Sequence, residues 1–180
     1  MANDTEIKEN VREDVYEKEL FDQLLDDNGI NQFRDEFLTL HNYEQSEYFE
    51  DTTDENRQKI FEFLSPKEVA NFFDQLDFDG DDYESLFDKM DANYASHVLE
   101  EMSYDNSVDI LNELSKPKVA SLLTLMNKDK ANEIKALLHY EEDTAGGIMT
   151  TEFISLKSTT PVKEALIHVK EQAPDAETIY

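Results

Sequence analysis

The 180 residues carry 43 Asp and Glu against 16 Lys and Arg, a formal net charge of −27, so nucleic acid and anionic membrane surfaces are repelled. A cation or a basic partner is the natural complement, with plain solubility as the alternative reading of the acidity. Apolar residues make up 39%, including 11 Phe and 8 Tyr, which is enough to bury a core and excludes disorder throughout. The absence of Cys removes disulfides, thiolate nucleophiles and Cys-type zinc sites, and fits a reducing cytosol.

The opening MANDTEIKENVRED has no apolar h-region, and the chain contains no run of about 18 apolar residues, so neither a signal peptide nor a membrane span is expected. Helical patterns follow, with Leu20, Phe21, Leu24 and Leu25 before an Asn28-Gly29 stop, and Phe33, Phe37 and Leu38 after it. These are longer than the patterns further on. They make residues 1–50 a capping segment, joined by a looser link around EDTTDENR.

Residues 51–138 repeat. Apolar anchors fall at Leu64 and Leu76 and then, after a slip of two residues, at Met90, Met102, Leu114, Met126 and Leu138, a spacing of twelve. Four and three residues before the anchors stand Ile60-Phe61, Phe72-Phe73, Leu86-Phe87, Val98-Leu99, Ile110-Leu111 and Leu122-Leu123; only Ile134-Lys135 breaks the rule. Positions −4, −3 and 0 share one side of a helix. Directly after the anchors come Ser65, Asp77, Asp91, Ser103, Ser115 and Asn127, each suited to cap a new helix, with Pro66 and Pro117 in first-turn positions. Helices this short are marginal alone, so each must be held by its neighbours. The pattern predicts a mainly α fold, a right-handed superhelical stack of short helices of α-solenoid type.

From Tyr140 the pattern changes. YEEDTAGG suggests a hinge at Gly146-Gly147; Phe153, Ile154 and Leu156 suggest a short strand; Thr160 then caps a helix with Pro161 at its first position and Val162, Ala165, Leu166 and Val169 on one face. One strand and one helix cannot bury their faces. Residues 139–180 therefore read as a linker and the opening of a larger α/β domain.

These strings carry a resemblance. YEEDTAGGIMTTEFISL followed by PVKEALIHVKEQAPDAETIY resembles the junction in MgtE-type magnesium transporters, where a helical N domain meets the first of two CBS domains. The likeness is strong after Leu138 and holds by pattern from about residue 30. It implies a soluble regulatory fragment ending in a truncated α/β CBS domain, at the cytoplasmic face of a membrane protein whose own CBS and transmembrane domains are its partners. It also implies a homodimer formed through parts that lie outside these residues, and Mg2+ as the regulating ion.

In SYDNSVDILNEL, Asp105, Asp109 and Glu113 are spaced to stand in a line on one helix, away from the apolar stripe. From the residues alone, a solvated acidic face is the favoured reading, with Asp105 suiting a helix N-terminus. The resemblance points further, because the family carries an Asp-Asp-x-x-Asp string here whose carboxylates share Mg2+ with acids of the CBS domain. Asp105 and Asp109 match its first and last members, while Asn106 departs at the middle one. Where relatives carry a further acid this chain has Asn71, with Asp74 nearby. The candidate metal residues are thus Asp105, Asp109, Glu113 and Asp74. Mg2+ suits them because it takes oxygen ligands and keeps several waters. Two carboxylates about 4 Å apart repel by roughly 4 kcal/mol at an effective dielectric of 20, and a divalent ion reverses that sign. The resemblance accordingly implies Mg2+-dependent docking of the acidic N domain on the CBS domain, which gates the pore. Without the opposing carboxylates, binding by this chain alone should be weak.

Two other constellations are weaker. DFDGDDYESLFD places Asp77, Asp79, Asp81 and Asp88 at positions 1, 3, 5 and 12 of a Ca2+ loop, but Asp82 stands where Gly is needed and Glu84 where an apolar residue is usual. A longer acidic turn is the favoured reading. His41, His97, His139 and His168 show no metal-type spacing, and there is no phosphate loop or nucleophile elbow, so no enzymatic activity is expected. A generic acidic scaffold that binds a basic protein is the rival to the Mg2+ reading.

Overall fold

The computed structural model describes residues 18–78, 80–140, 144–146, 149 and 153–173, with Asp81 described in its backbone only. Ten short helices follow one another: α1 (Lys18–Asp26), α2 (Ile30–Phe37), α3 (Asn42–Asp51), α4 (Asp54–Phe63), α5 (Pro66–Phe73), α6 (Gly80–Lys89), α7 (Ala92–Glu101), α8 (Tyr104–Glu113), α9 (Lys116–Leu125) and α10 (Lys128–Leu137). A further helix, α11 (Val162–Gln172), lies beyond the linker.

α1 packs on α2 and α4, but in the repeats most helices pack mainly on the one two places along. α3, α5, α7 and α9 contact in succession, and α6, α8 and α10 do the same, which gives two layers of a solenoid-like stack. The twelve-residue pattern is what buries them. Leu64, Met90, Met102, Leu114 and Met126 are all buried, as are the apolar pairs before them. Leu76 and Leu138 are partly buried. The break at Ile134-Lys135 is real, with Ile134 fully buried and Lys135 exposed.

At the N-terminal end the core is aromatic. Phe37 meets Phe21, Tyr48 and Phe72 at centroid distances of 5.6, 5.8 and 5.9 Å, and Phe49 meets Phe72 and Phe73 at 5.4 and 5.3 Å. Among the described residues the helices here are not longer than the rest: Asn28, at φ 57°, turns the chain after nine described residues of α1, and α2 has eight. No loose link separates them from the repeats either. Only Thr52 and Thr53 stand between α3 and α4, and Arg57 ties across, donating to the Phe49 and Glu50 carbonyls at 2.9 and 2.6 Å. Its guanidinium also covers the Phe49 ring at 5.4 Å.

The helix starts reveal a use for the acids. Ser65 forms a capping box with Glu68, and Asp91 and Asn127 accept from N–H groups of their own first turns. Ser103 and Ser115 cap nothing in their own helices. Instead, carboxylates from helices further back hold them: Ser103 Oγ donates to Asp74 at 3.2 Å, and the Ser115 N–H and hydroxyl both donate to Glu84 at 2.9 Å. Glu50 accepts likewise from the N–H of Asp77 at 2.9 Å, and Glu100 from that of Asn127. The orphan N–H groups of Ser115 and Asn127, at the N-caps of α9 and α10, are thus satisfied across the stack, while Glu50 holds the loop ahead of α6.

Four further expectations need correction. Asp77 does not cap α6, which starts three residues later at Gly80. Residues 80–88 are helical, so nine of the twelve positions of the supposed Ca2+ loop cannot wrap an ion, and Asp88 is bound to Lys118 at 2.6 Å. Residues 153–157 form no strand, since none of the described residues offers a strand to pair with. Pro161 rather than Thr160 occupies the N-cap of α11. In the hinge, Gly146 is needed for close approach: a Cβ there would lie 2.2 Å from Cδ1 of Tyr140. Gly147 lies outside the described residues.

Candidate functional site

The turn after α5 and the length of α8 form one acidic cleft of about 230 Å3, lined by Phe73, Asp74, Leu76, Phe78, Tyr83, Asn106, Asp109, Ile110 and Glu113. Asp74 arrives at the C-cap of α5, where the helix stops, and α8 projects Asn106, Asp109 and Glu113 along one face. Apolar Phe73, Leu76 and Ile110 make the floor. Asp109 and Glu113 are exposed, while Asp74 is half-buried.

The electrostatics follow from this geometry. Burial pushes the Asp74 carboxyl above the usual aspartate range. Hydrogen bonds from Asn106 and Ser103 oppose the shift, and nearby Asp105 adds to it. Asp74 Oδ1 accepts from Asn106 Nδ2 and from Ser103 Oγ, each at 3.2 Å. Burial likewise raises the Tyr83 phenol, with the negative charges of Glu50, Asp77 and Glu113 acting in the same direction. Its hydroxyl donates to the Leu76 carbonyl at 3.1 Å.

Of the four residues named from the sequence, three line the cleft: Asp74, Asp109 and Glu113. Asp105 does not line it but sits beside Asp74, and its Oδ1 is buried without a hydrogen-bond partner among the described residues. Asn71 is exposed and takes no part. The sequence did not single out Tyr83 or Gly80. A Cβ at Gly80 would stand 2.1 Å from Oε2 of Glu113, so the glycine leaves room for that carboxylate. No local spacing could have shown this, because the two residues are 33 apart.

The donors are all oxygens, the kind a hard cation takes. Among the described residues, however, no group of three or more His, Asp and Glu side chains is gathered closely enough to hold a metal ion. The cleft is thus oxygen-lined and acidic, with an apolar part made by Phe73, Leu76 and Ile110.

The class of protein that this fold defines is an α-solenoid of short acidic helices, with the cleft between its fifth and eighth helices. Residues 40–143 match the family model of the MgtE intracellular N domain, more than half of the chain, and the chain belongs to that family. It is 45% identical over 158 residues to a magnesium transporter MgtE of Enterococcus faecalis, an alignment covering 88% of this chain and 35% of that protein. To the magnesium transporter MgtE of Thermus thermophilus it is 50% identical over 48 residues, 27% of this chain and 11% of the other. Among solved structures it resembles the soluble part of a magnesium transporter, with TM-score 0.86 and 42% identity, covering 91% of this chain and 64% of that one. It also resembles the cytosolic domain of the Mg2+ channel MgtE in complex with ATP, with TM-score 0.80 and 25% identity, covering 91% and 66%. The chain therefore spans about a third of the length of the E. faecalis relative. No helix among the described residues is long and apolar enough to cross a membrane.

Proposed function

We propose that this chain is the Mg2+-sensing cytosolic part of an MgtE-type magnesium transporter, and that it acts by docking its acidic cleft against the CBS module that follows. The observation that carries this is the convergence of Asp74, Asp109 and Glu113 on one cleft from two helices, without enough ligands among the described residues to close a site. Asp109 and Glu113 would hold the ion, with Asp105 and Asp74 behind them. Mg2+, when bound, supplies the charge that lets two acidic surfaces approach. The chain's own residues do the rest. The α5–α8 junction fixes the line of carboxylates, and the net charge of −27 supplies the repulsion that drives the domain away when the ion is scarce. Half a ligand set binds weakly, at millimolar Mg2+ or above.

Limited proteolysis of the complete transporter tests the reading. Mg2+ should protect the linker after Leu138, and magnesium-free conditions should expose it. Equal cleavage in both conditions would favour an acidic scaffold for a basic protein partner.

A further inference from the structure

Asp74 is a half-buried carboxylate whose hydrogen-bond donors carry no charge. Ser103 Oγ and Asn106 Nδ2 each approach its Oδ1 at 3.2 Å. Carboxylates withdrawn from water generally need a cation or several donors. Here the amide of Asn106 fills a place that a cation could otherwise take. Asp and Asn share one shape, so an aspartate at 106 would set a second carboxylate against Asp74, and that pair would require a shared proton or an ion between them.

We propose that Asn106 is a built-in substitute for a cation at Asp74: it holds the α5–α8 junction together without metal and sets the divalent-cation concentration to which the cleft responds. The junction is thereby closed at any Mg2+ level, and the exposed carboxylates Asp109 and Glu113 are left as the responsive groups. The proposal rests on the reading of this cleft as a Mg2+ sensor, and it assigns the threshold of that sensor to one neutral side chain.

Thermal unfolding of the 180-residue chain tests it, in millimolar MgCl2 and in NaCl of equal ionic strength. Asn106→Asp should melt below the wild type in NaCl and gain about 3 °C or more from Mg2+, whereas the wild type, which binds the ion only weakly, should gain clearly less over its salt control. Asn106→Leu removes the donor without adding charge, and should melt lower with no recovery in Mg2+. The double variant Asp74→Asn with Asn106→Asp restores one amide against one carboxylate, and should recover the metal-free melting point and lose the Mg2+ response. An Asn106→Asp variant with no Mg2+-specific gain would overturn the proposal, as would a wild type that gains as much. Failure of docking in the complete transporter would leave these shifts standing, because they are read on this chain alone.

Discussion

The Glu113 carboxylate, in the last turn of α8, occupies the space that a side chain at residue 80 would need, with Oε2 lying 2.1 Å from where a Cβ on Gly80 would stand. The start of α6 therefore gives Glu113 its place in the cleft.

Gly80→Ala should displace that carboxylate at little cost in stability, because an exposed glutamate can swing aside. In the complete transporter its Mg2+-dependent protease protection should weaken as that of Glu113→Gln does, while the melting temperature stays close to wild type. A normal Mg2+ response in Gly80→Ala would remove Glu113 from the site.

Asp109→Asn is expected to do more, since Asp109 is exposed on the middle turn of α8 and lines the cleft between Asn106 and Glu113. The complete transporter carrying it should need several-fold more Mg2+ for half-maximal protection, a coupling loss in the usual range of about 1–3 kcal/mol. Titration of protection against MgCl2 reads this directly.

Phe72 is fully buried and meets Phe37, Phe49 and Phe73 within 5.4 to 5.9 Å. Phe72→Ala should cost about 3–5 kcal/mol by urea unfolding. Phe72 ties two parts of one core together, because Phe37 belongs to the N-terminal helices and Phe73 to the repeats.

Glu68 gives a pH test. Burial alone would raise its pKa, but bonds from both Arg34 nitrogens, at 2.8 and 2.5 Å, and from Ser65 outweigh it, leaving the carboxyl below its ordinary value of 4.5. A depressed folded-state pKa means that the stabilisation is complete above about pH 4.5 and is lost as pH falls through the lower folded value. Glu68→Gln should melt below the wild type at pH 7, and the gap should close on acidification from pH 5 towards 3.

Much of the stack was legible because twelve-residue spacing of anchors and apolar pairs states directly which side of each helix is buried, and the buried residues fall where the pattern put them. The start of α6 was not, because a two-residue insertion fits an Asp77 cap as well as a later one until Gly80 is seen to meet Glu113. Nor was the lack of a strand at 153–157: β-rich composition needs a partner strand, and pairing is not a local property. At the cleft, helical spacing put Asp105, Asp109 and Glu113 in one line and the family resemblance marked them as candidates, but only the last two of the line face the cleft. The bond from Asn106 to Asp74 joins residues 32 apart, and so it appears only in three dimensions.

The carboxylates of Glu50, Glu84 and Glu100 each grip a residue 27 to 31 places downstream, as overlapping roof tiles hold the next course. The two ends of the molecule are consequently unequal. Trimming the last helices merely leaves Glu84 and Glu100 idle in water, whereas trimming the first ones strips Glu50 from Asp77 and loosens a part of the chain that was never cut. Damage in this protein runs forward along the sequence.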